Sequence, residues 1–539
     1  MRAPRFVSLL PLAAALSTTD GPPAAKRVAI IGAGAGGSSA AYHLAQYAAE
    51  ASIPINITVF ERNSYIGGRT TTVDAWDDPN TPVELGGSIF VEVNHIMVEA
   101  MKRFNLSTAE EDIAAQLALP DLGIWNGQEF VIVTRAGDTW WDKAKLLWRY
   151  GTAPLWTNRL MKSAVGRFLT MYDEPIFPWK SLSDAVEQVG LLELTGVTGE
   201  QYLKANGIGD AFAQEIIQAS TRVNYASNLP YIHGLETMVC MATSGAMQIS
   251  GGNWRIFANM LNASSATLHL STPITHMAKH PNGTYTLTTS SGTSSLFDTV
   301  ILAAPYQFAN LTSSPPPPHI PDSIPYTNLH TTLFASPHAL DPTAFHLAPG
   351  SPVPQYILTT LPPGEAPPPD TAAAGSPGFF SISISNTGVN PHTAPPRREF
   401  VYKIFSPERV SAAFLARILG LHNTSSSSSS HSSSSSSSSS PKLAALLAPT
   451  TPDADAPAPL PGVSWIHRKR WHSYPREYPR VTFDAVQLDT ALWYTSGVEA
   501  FVSTMETSAL SGRNVARLVR DAWVEEGEGE GEGEERMEL

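Results

Sequence analysis

VAIIGAGAGG, at residues 28–37, is the stretch that decides the fold of this chain. It is a short apolar strand that runs directly into a G-x-G-x-x-G turn, and helix-forming residues follow at 38–47. Gly32 makes the tight turn, Gly34 lets the backbone approach a pyrophosphate, and Gly37 lets the helix pack closely on the strand. The N-terminus of that helix offers free N–H groups and a positive dipole to phosphate oxygens.

A second strand follows in the order that a βαβ unit requires. Residues 55–60, INITVF, are typical of a strand, and Glu61 comes directly after them. A carboxylate at this position accepts hydrogen bonds from a ribose hydroxyl of a bound dinucleotide. Because strand, turn, helix, second strand and acid arrive in order, we interpret this segment as a dinucleotide site.

Two further glycine motifs bear on which dinucleotide binds. Gly67-Gly68-Arg69 follows the ribose acid, and Gly86-Gly87 comes shortly afterwards. A nicotinamide fold has no need for these motifs, whereas an extended flavin passes close to further backbone. Arg69 would add charge near the diphosphate, and the second diglycine would let main chain run beside the isoalloxazine. Taken singly each motif is an ordinary glycine turn with a solvated arginine, but together their spacings favour FAD.

Length and composition set the frame. A chain of 539 residues is too long for one core and predicts two domains plus irregular insertions. The net charge is −13, but the last 15 residues contribute −7 of it, so we expect a disordered acidic tail at 523–539. Nothing in this balance indicates nucleic acid binding, and no stretch reaches the 18 apolar residues of a membrane helix.

The N-terminus and the sequons indicate secretory passage. Residues 1–20 combine a basic start, a short apolar run and small residues, which predicts a signal peptide; a disordered leader is the alternative. The single cysteine, Cys240, forbids an intrachain disulfide and is expected to be a buried small hydrophobe. Asn56 also heads a sequon but falls in a predicted buried strand. We expect N-glycans at Asn105, Asn262, Asn282, Asn310 and Asn423.

The pattern along the chain predicts an α/β protein whose two domains interleave. Strands of a hairpin are predicted around 271–277 and 285–289, a buried strand at 297–305, and a closing helix over 493–520. The predicted FAD-binding segments are 26–105, 235–312 and 485–522. The predicted substrate domain comprises 106–234, mostly helical, and 313–484, with proline-rich insertions and a serine tract at 425–440 that we expect to be disordered.

At this point the residues carry a family resemblance. The glycine motifs and ELGG at 84–87 resemble the flavin amine-oxidase superfamily. Within it, the chain resembles the prenylcysteine oxidase, or prenylcysteine lyase, family in four further places. These are RVNY at 222–225, SGGN at 250–253, WHSYP at 471–475, and GVE at 497–499 with METSA at 505–509.

The resemblance implies a Rossmann-like FAD-binding domain of the glutathione-reductase type with a second, α+β substrate domain. It also implies a lysosomal or vacuolar enzyme, or a secreted one, that oxidises farnesyl- or geranylgeranyl-cysteine in the degradation of prenylated proteins. Water then splits the oxidised thioether into cysteine and a prenyl aldehyde, and oxygen becomes hydrogen peroxide. The chemistry is the cofactor's, so the protein must position the C–H bond and exclude water.

The resemblance also assigns roles to individual residues. Arg222 and Tyr225 are the candidate catalytic residues near the substrate, where Arg222 would hold the cysteine carboxylate; a structural ion pair and a packed aromatic are the alternative. Ala226 and Ser227 stand where the family pattern has glycine and glutamine, which puts the local geometry in doubt. No metal site is expected. The residues implied to bind FAD are Gly32, Gly34, Gly37, Glu61, Gly67, Gly68, Arg69, Gly86, Gly87, Ile274, Glu499 and Glu506.

Two other functions stay open. An amine or polyamine oxidase would use the same fold, since both reactions remove hydride from carbon next to a heteroatom. Its sites often include a lysine near the flavin, and the sequence alone identifies none. A flavin-binding secreted homologue without turnover is the third reading. The departure at 226–227 supports it, and the intact glycine motifs argue against it.

Overall fold

A computed structural model describes residues 24–109, 113–135, 147–368, 374–421 and 462–538. The predicted signal peptide at 1–20, the sequon at Asn423 and the serine tract at 425–440 lie outside the described residues. None of the described helices is both long and apolar enough to cross a membrane.

Strands predominate in the second half of the chain, and most of the helices lie between residues 153 and 263. The described strands are β1 (Lys26–Ile31), β2 (Ile55–Phe60), β3 (Thr72–Asp74), β4 (Pro82–Glu84), β5 (Leu122–Trp125), β6 (Phe130–Thr134), β7 (Thr267–His269), β8 (Ile274–Lys279), β9 (Tyr285–Thr289), β10 (Ser294–Phe297), β11 (Thr299–Leu302), β12 (Thr312–Ser314), β13 (Tyr326–Ser336), β14 (Tyr356–Thr359), β15 (Ser381–Asn390), β16 (Arg397–Ser406), β17 (Trp465–Pro475), β18 (Gln487–Asp489) and β19 (Leu492–Tyr494). The described α-helices are α1 (Ala35–Glu50), α2 (His95–Arg103), α3 (Ile113–Leu117), α4 (Ala153–Leu169), α5 (Leu182–Gln188), α6 (Leu192–Thr195), α7 (Gly199–Ala205), α8 (Asp210–Phe212), α9 (Gln218–Tyr225), α10 (Gly234–Cys240), α11 (Trp254–Ala263), α12 (Ala412–Ile418) and α13 (Met505–Glu538).

A six-stranded sheet in the order β18-β19-β11-β1-β2-β7 forms the first domain. Its strands are parallel except β18. β1 lies at the centre because it is apolar throughout its second half, with Val28, Ala29 and Ile30 fully buried. α1 packs beside this sheet, and α13 packs along α1, where the Ser39 hydroxyl donates to the Ala509 carbonyl at 2.6 Å.

The predicted hairpin is confirmed as β8 and β9, joined by a turn with Gly283 at φ +83°. It belongs to a four-stranded sheet, β10-β9-β8-β12, that packs against the first sheet through a shared apolar core. The apolar run predicted as one buried strand is divided: β10 ends at Phe297 and β11 begins at Thr299. Asp298 breaks the strand because its carboxylate accepts the backbone N–H and the guanidinium of Arg27.

A seven-stranded sheet in the order β17-β13-β16-β15-β14-β5-β6 forms the second domain. α12 and a cluster of buried aliphatic and aromatic side chains cover one face. The opposite face carries cavity-lining residues of β13 and β16, among them Leu329, Thr331 and Lys403. Helices α4 to α10 form the remaining part of the chain between the two nucleotide-domain segments.

The C-terminal end differs from the prediction in two ways. Trp493 lies in strand β19, and the closing helix begins only at Met505. The strand forms because Trp493 pairs with Ile301 at the edge of the parallel sheet, where an apolar residue is buried on both sides. The helix then continues through Glu538 instead of ending in an irregular acidic tail. The helix extends readily because its first turns are already formed and packed, so each further residue adds a hydrogen bond without a new nucleation step.

Candidate functional site

A cavity of about 2010 Å³ opens at the carboxyl end of β1. This is the edge of a parallel sheet at which nucleotides bind, next to the turn between a strand and its helix. Most of the predicted site residues line this one cavity, whereas Gly37 and Arg222 do not. The predicted residues that line it are Gly32, Gly34, Glu61, Gly67, Gly68, Arg69, Gly86, Gly87, Tyr225, Ile274, Glu499 and Glu506.

The first glycine motif forms a cradle whose shape depends on missing side chains. Gly32 has φ +113°, and a Cβ there would lie 2.6 Å from the Ala303 carbonyl oxygen. A Cβ at Gly37 would lie 1.9 Å from the Gly32 oxygen, so α1 packs on the turn only without one. At Gly34 the nearest atom to a Cβ, the Gly67 oxygen, would be 3.9 Å away, so this backbone is open to the cavity.

The N-terminus of α1 suits an anionic ligand. All residues of this helix are described, and its first turn has neither a side-chain cap nor an acidic residue. The N–H groups of the first turn and the positive dipole therefore lie at the cavity, which Gly34, Ala35 and Gly36 line. This arrangement fits a pyrophosphate.

Glu61 organises the turn from the opposite side. One carboxylate oxygen accepts the Ala33 N–H at 2.9 Å, and the other accepts the backbone and side-chain N–H groups of Asn63 at 2.8 and 2.7 Å. The carboxylate is buried, yet it lines the cavity and retains acceptor capacity. A ribose hydroxyl is a suitable donor for that remaining capacity.

The second diglycine is wedged between two other segments. A Cβ at Gly86 would lie 2.0 Å from the Arg69 oxygen and 2.7 Å from Trp471 Cη2. The buried side chain of Asn253 donates to the Gly87 carbonyl at 3.1 Å, and its own N–H donates to Glu84 at 2.6 Å. The diglycine is thus a rigid part of the cavity wall, as main chain beside a planar ring must be.

Arg69 and Glu499 form an ion pair inside the cavity wall. Their closest atoms, Arg69 Nη2 and Glu499 Oε2, are 2.7 Å apart, and Tyr326 donates its hydroxyl to the same oxygen at 2.8 Å. Arg69 also donates to the Ser473 carbonyl at 3.1 Å. The guanidinium that we expected near the diphosphate is therefore neutralised by Glu499 within the protein.

Glu506 has a structural partner of its own. Its carboxylate accepts the N–H groups of Ile96 and Met97 at 2.8 and 3.0 Å and the Tyr172 hydroxyl at 2.8 Å. It thereby caps the N-terminus of α2, and Glu506 also lines the cavity. Burial raises the pKa of Glu506 to about 7, although the three hydrogen bonds oppose that rise.

Arg222 does not lie at the cavity, which corrects its expected role. Its side chain is 0% exposed and donates to Thr359, Asn228 and the Ala374 carbonyl at 2.7–3.1 Å. Burial lowers the pKa of Arg222 to about 9. The guanidinium is turned into the protein because these acceptors from the second domain satisfy it, so a substrate carboxylate does not reach it.

Tyr225 does line the cavity, beside a buried acid that the sequence did not reveal. Its hydroxyl donates to the Ser503 carbonyl at 2.9 Å, and its ring packs edge-on against Tyr474. Glu236 lies next to that hydroxyl, is 0% exposed, and has a pKa raised to about 8 by burial. Cys240 is buried in the same cluster, as predicted.

The sequence also missed Lys403, because one lysine in an apolar strand has no local signature. Lys403 is 7% exposed, lines the cavity, and donates to the Ser88 hydroxyl at 2.7 Å. Its contact with the residue that follows the diglycine becomes visible only once β16 is placed beside that loop. The polar segment RREFVYKIFS nevertheless has its lysine on a buried face, which is an unusual pattern.

Part of the cavity lining is apolar, although Ser220 and Asn224 also line it. Side chains of α4 and of the helical segment that ends in α9 contribute to it, and none of them carries a charge. They are Val165, Phe168, Leu169, Ile216 and Val223. The glycine cradle and these apolar side chains line one cavity, which suits a dinucleotide together with an apolar ligand.

A Rossmann-like domain with such a cavity against a second domain defines a two-domain dinucleotide-binding oxidoreductase. Residues 133–530 match the family model described as prenylcysteine lyase, and residues 30–104 match that of the NAD(P)-binding Rossmann-like domain. Because the first match covers well over half of the chain, this protein belongs to the prenylcysteine lyase family. The family resemblance seen in the sequence is confirmed.

Relatives of the whole chain carry related names. Farnesylcysteine lyase of Arabidopsis thaliana is 28% identical over 517 residues, which cover 91% of this chain and 87% of the relative. Prenylcysteine oxidase 1 of Homo sapiens is 24% identical, with coverage of 92% and 89%. Among solved structures, cyclohexylamine oxidase from Brevibacterium oxydans superimposes with a TM-score of 0.53 at 14% identity, covering 93% of this chain and all of that one. An engineered putrescine oxidase gives 0.53 at 12% identity, with coverage of 92% and 98%. These likenesses confirm the predicted fold class.

Proposed function

We propose that this protein is an FAD-dependent thioether oxidase that cleaves S-farnesyl- or S-geranylgeranyl-cysteine. The observation that carries the proposal is that one cavity is lined both by the glycine cradle for a dinucleotide and by a group of apolar side chains. Family membership supports the substrate class, and the names of the relatives agree with it.

The proposed reaction consumes one prenylcysteine, one oxygen and one water. Held by Glu61 and the α1 N-terminus, FAD would supply the two-electron oxidation of the carbon next to sulfur, with oxygen as the final acceptor that becomes hydrogen peroxide. Water adds to the oxidised carbon, the carbon–sulfur bond then breaks, and free cysteine and a prenyl aldehyde leave. The apolar wall around Phe168 and Val223 would hold the prenyl chain and keep bulk water from the reacting carbon until hydride has left.

The chain's own charged groups suit this chemistry. Arg69 and Glu499 neutralise one another at the cavity wall, so neither presents an unpaired charge to a prenyl chain. Glu61 and the α1 N-terminus would hold the ribose and the pyrophosphate, which fixes the cofactor by its far end. The diglycine braced by Asn253 would position the ring.

The first test is anaerobic mixing of the purified holoprotein with farnesylcysteine while the visible flavin band is followed. We expect the band to bleach and to return when air is admitted, with one hydrogen peroxide formed per aldehyde. A yellow protein that keeps its band with farnesylcysteine would contradict the proposal. A colourless protein would favour the reading as a homologue without turnover.

Amine oxidation is the second candidate, and one observation favours it. Lys403 supplies the buried lysine beside the diglycine that the sequence had not revealed. The same anaerobic assay with putrescine and cyclohexylamine separates the two functions. Bleaching by an amine, and not by farnesylcysteine, would establish the amine reading.

We also propose that the protein works in the secretory pathway, in a lysosome or vacuole or outside the cell. The basic and apolar residues at 1–20 support this, as do exposed sequons at Asn105, Asn262, Asn282 and Asn310. Asn56 is exposed too, at the solvent end of β2, although the sequence had placed it in a buried strand. Endoglycosidase treatment of protein from a secreting cell should increase its gel mobility. Unchanged mobility would contradict passage through that compartment with glycan attachment.

A further inference from the structure

Lys403 is held at the cavity wall by neutral groups. Its ammonium donates to the Ser88 hydroxyl at 2.7 Å and lies 4.8 Å from the centre of the Phe405 ring. No carboxylate within the described parts of the chain forms an ion pair with it. A lysine buried to this degree normally forms an ion pair, so the absence of one here favours an anionic ligand group.

Glu84 is the carboxylate whose charge acts on the pKa of Lys403. The hydrogen-bonding capacity of this carboxylate is also only partly used. One carboxylate oxygen accepts the Asn253 N–H at 2.6 Å, whereas the other is buried and, among the described residues, has no hydrogen-bond partner. Burial raises the pKa of Glu84 to about 7 and lowers that of Lys403 to about 8, while each charge partly offsets the shift of the other. Both residues line the cavity.

A third unsatisfied group shares this part of the wall. The Thr331 hydroxyl is buried, and it has no hydrogen-bond partner in the described chain. Thr331 pairs with Phe405 across β13 and β16, and Leu333 pairs with Lys403, so threonine and lysine are diagonal neighbours on one face of the sheet. A hydroxyl and an ammonium on this face together suit an anionic ligand group.

The other cations at the cavity are either engaged or, like Arg470, exposed to solvent. Arg69 is paired with Glu499 at 2.7 Å. Lys469 donates to the Tyr65 hydroxyl at 3.1 Å, and the exposed side chain of Arg62 donates to a backbone carbonyl at 2.8 Å. Lys403 is therefore the cation best placed to receive a carboxylate deep in the cavity.

We infer that Lys403, with Ser88 and Thr331, binds the α-carboxylate of the substrate, and that Glu84 accepts its α-ammonium. The ligand class is a zwitterionic amino-acid headgroup, whose two opposite charges match the two buried charges of the wall. This inference rests on the proposed function and adds to it the recognition of the cysteine end. It also replaces Arg222 as the group that holds the carboxylate.

The test compares two substrates and three proteins in the FAD-loaded, full-length form. Farnesylcysteine has the carboxylate, and S-farnesylcysteamine is the same molecule without it. For wild type we expect KM to be about 10- to 100-fold lower for farnesylcysteine, the range of one charge-assisted hydrogen bond. The Lys403→Met variant should lose that preference by raising KM for farnesylcysteine alone. Lys469→Met, which removes the other cavity lysine, should keep the preference.

Each result separates the inference from the proposed function. If wild type turns over neither substrate, both are overturned. If wild type turns over farnesylcysteine but Lys403→Met raises KM equally for both substrates, only the headgroup inference is overturned. Should Lys403→Met fail to retain flavin, Ser88→Ala provides the same comparison: a KM rise confined to farnesylcysteine supports the inference, and unchanged discrimination overturns it.

Discussion

Replacing Glu61 by glutamine tests the cofactor cradle with the least change of shape. The carboxylate now accepts from Ala33 on one oxygen and from Asn63 on the other. A glutamine side chain has only one acceptor oxygen. If that oxygen accepts from Asn63, the glutamine NH₂ group faces the Ala33 N–H, and two donors then oppose each other. The lost charge-assisted hydrogen bond is worth about 1.5–3 kcal/mol, and the turn that receives the pyrophosphate loses its anchor. We therefore expect the FAD dissociation constant to rise about 10- to 150-fold.

The measurement is a titration of flavin-free protein with FAD, followed by quenching of flavin fluorescence. Asn63→Ala is the matched control, because it removes one donor to the same carboxylate and leaves the bond to Ala33 intact. We expect this control to change the dissociation constant by less than about threefold. A Glu61→Gln protein that is folded and binds FAD as tightly as the control would refute the role assigned to this carboxylate.

Three other substitutions probe separate parts of the structure. Gly37→Ala places a methyl 1.9 Å from the Gly32 oxygen, so the purified protein should lack the visible flavin band; a normal flavin-to-protein absorbance ratio would contradict the packing of α1. Arg222→Met should lower the free energy of unfolding by about 2–4 kcal/mol in urea, because buried acceptors lose their donor, yet leave KM for farnesylcysteine unchanged; a raised KM would return Arg222 to the substrate site. Glu506 has a folded-state pKa of about 7, above its unfolded value of 4.5, so the unfolded chain releases this proton first and stability falls as pH rises between those values. Glu506→Gln should therefore show a smaller loss of unfolding free energy between pH 5 and pH 7.5 than wild type, by up to about 2 kcal/mol; equal losses would contradict the raised pKa.

Local pattern was sufficient wherever the fold depends on neighbours in sequence. β1, α1 and β2 lie where the glycine motif and the apolar runs placed them, because strand, turn and helix are set within a few residues. The family motifs likewise identified many residues that line the cavity. These features need no knowledge of distant contacts.

The substrate end could not be predicted because its residues meet across long sequence separations. Lys403 contacts Ser88 over 315 positions, and Arg222 is drawn away from the cavity by Thr359 over 137 positions. A motif places Arg222 on a helix, but only the second domain determines which side of that helix has acceptors. The late start of the closing helix has the same origin, since Trp493 pairs with Ile301 of β11, a strand from the middle of the chain.

The contact between α1 and α13 also has a consequence for biosynthesis. Ser39 donates to a carbonyl 470 residues further along, and β19 completes the sheet beside β11 from the same late segment. At about 5–20 residues per second, the ribosome would expose β1 roughly half a minute or more before these partners emerge. The nucleotide-binding sheet is thus completed only after β19 and α13 have been synthesised, so we expect cofactor loading to follow the emergence of that late segment.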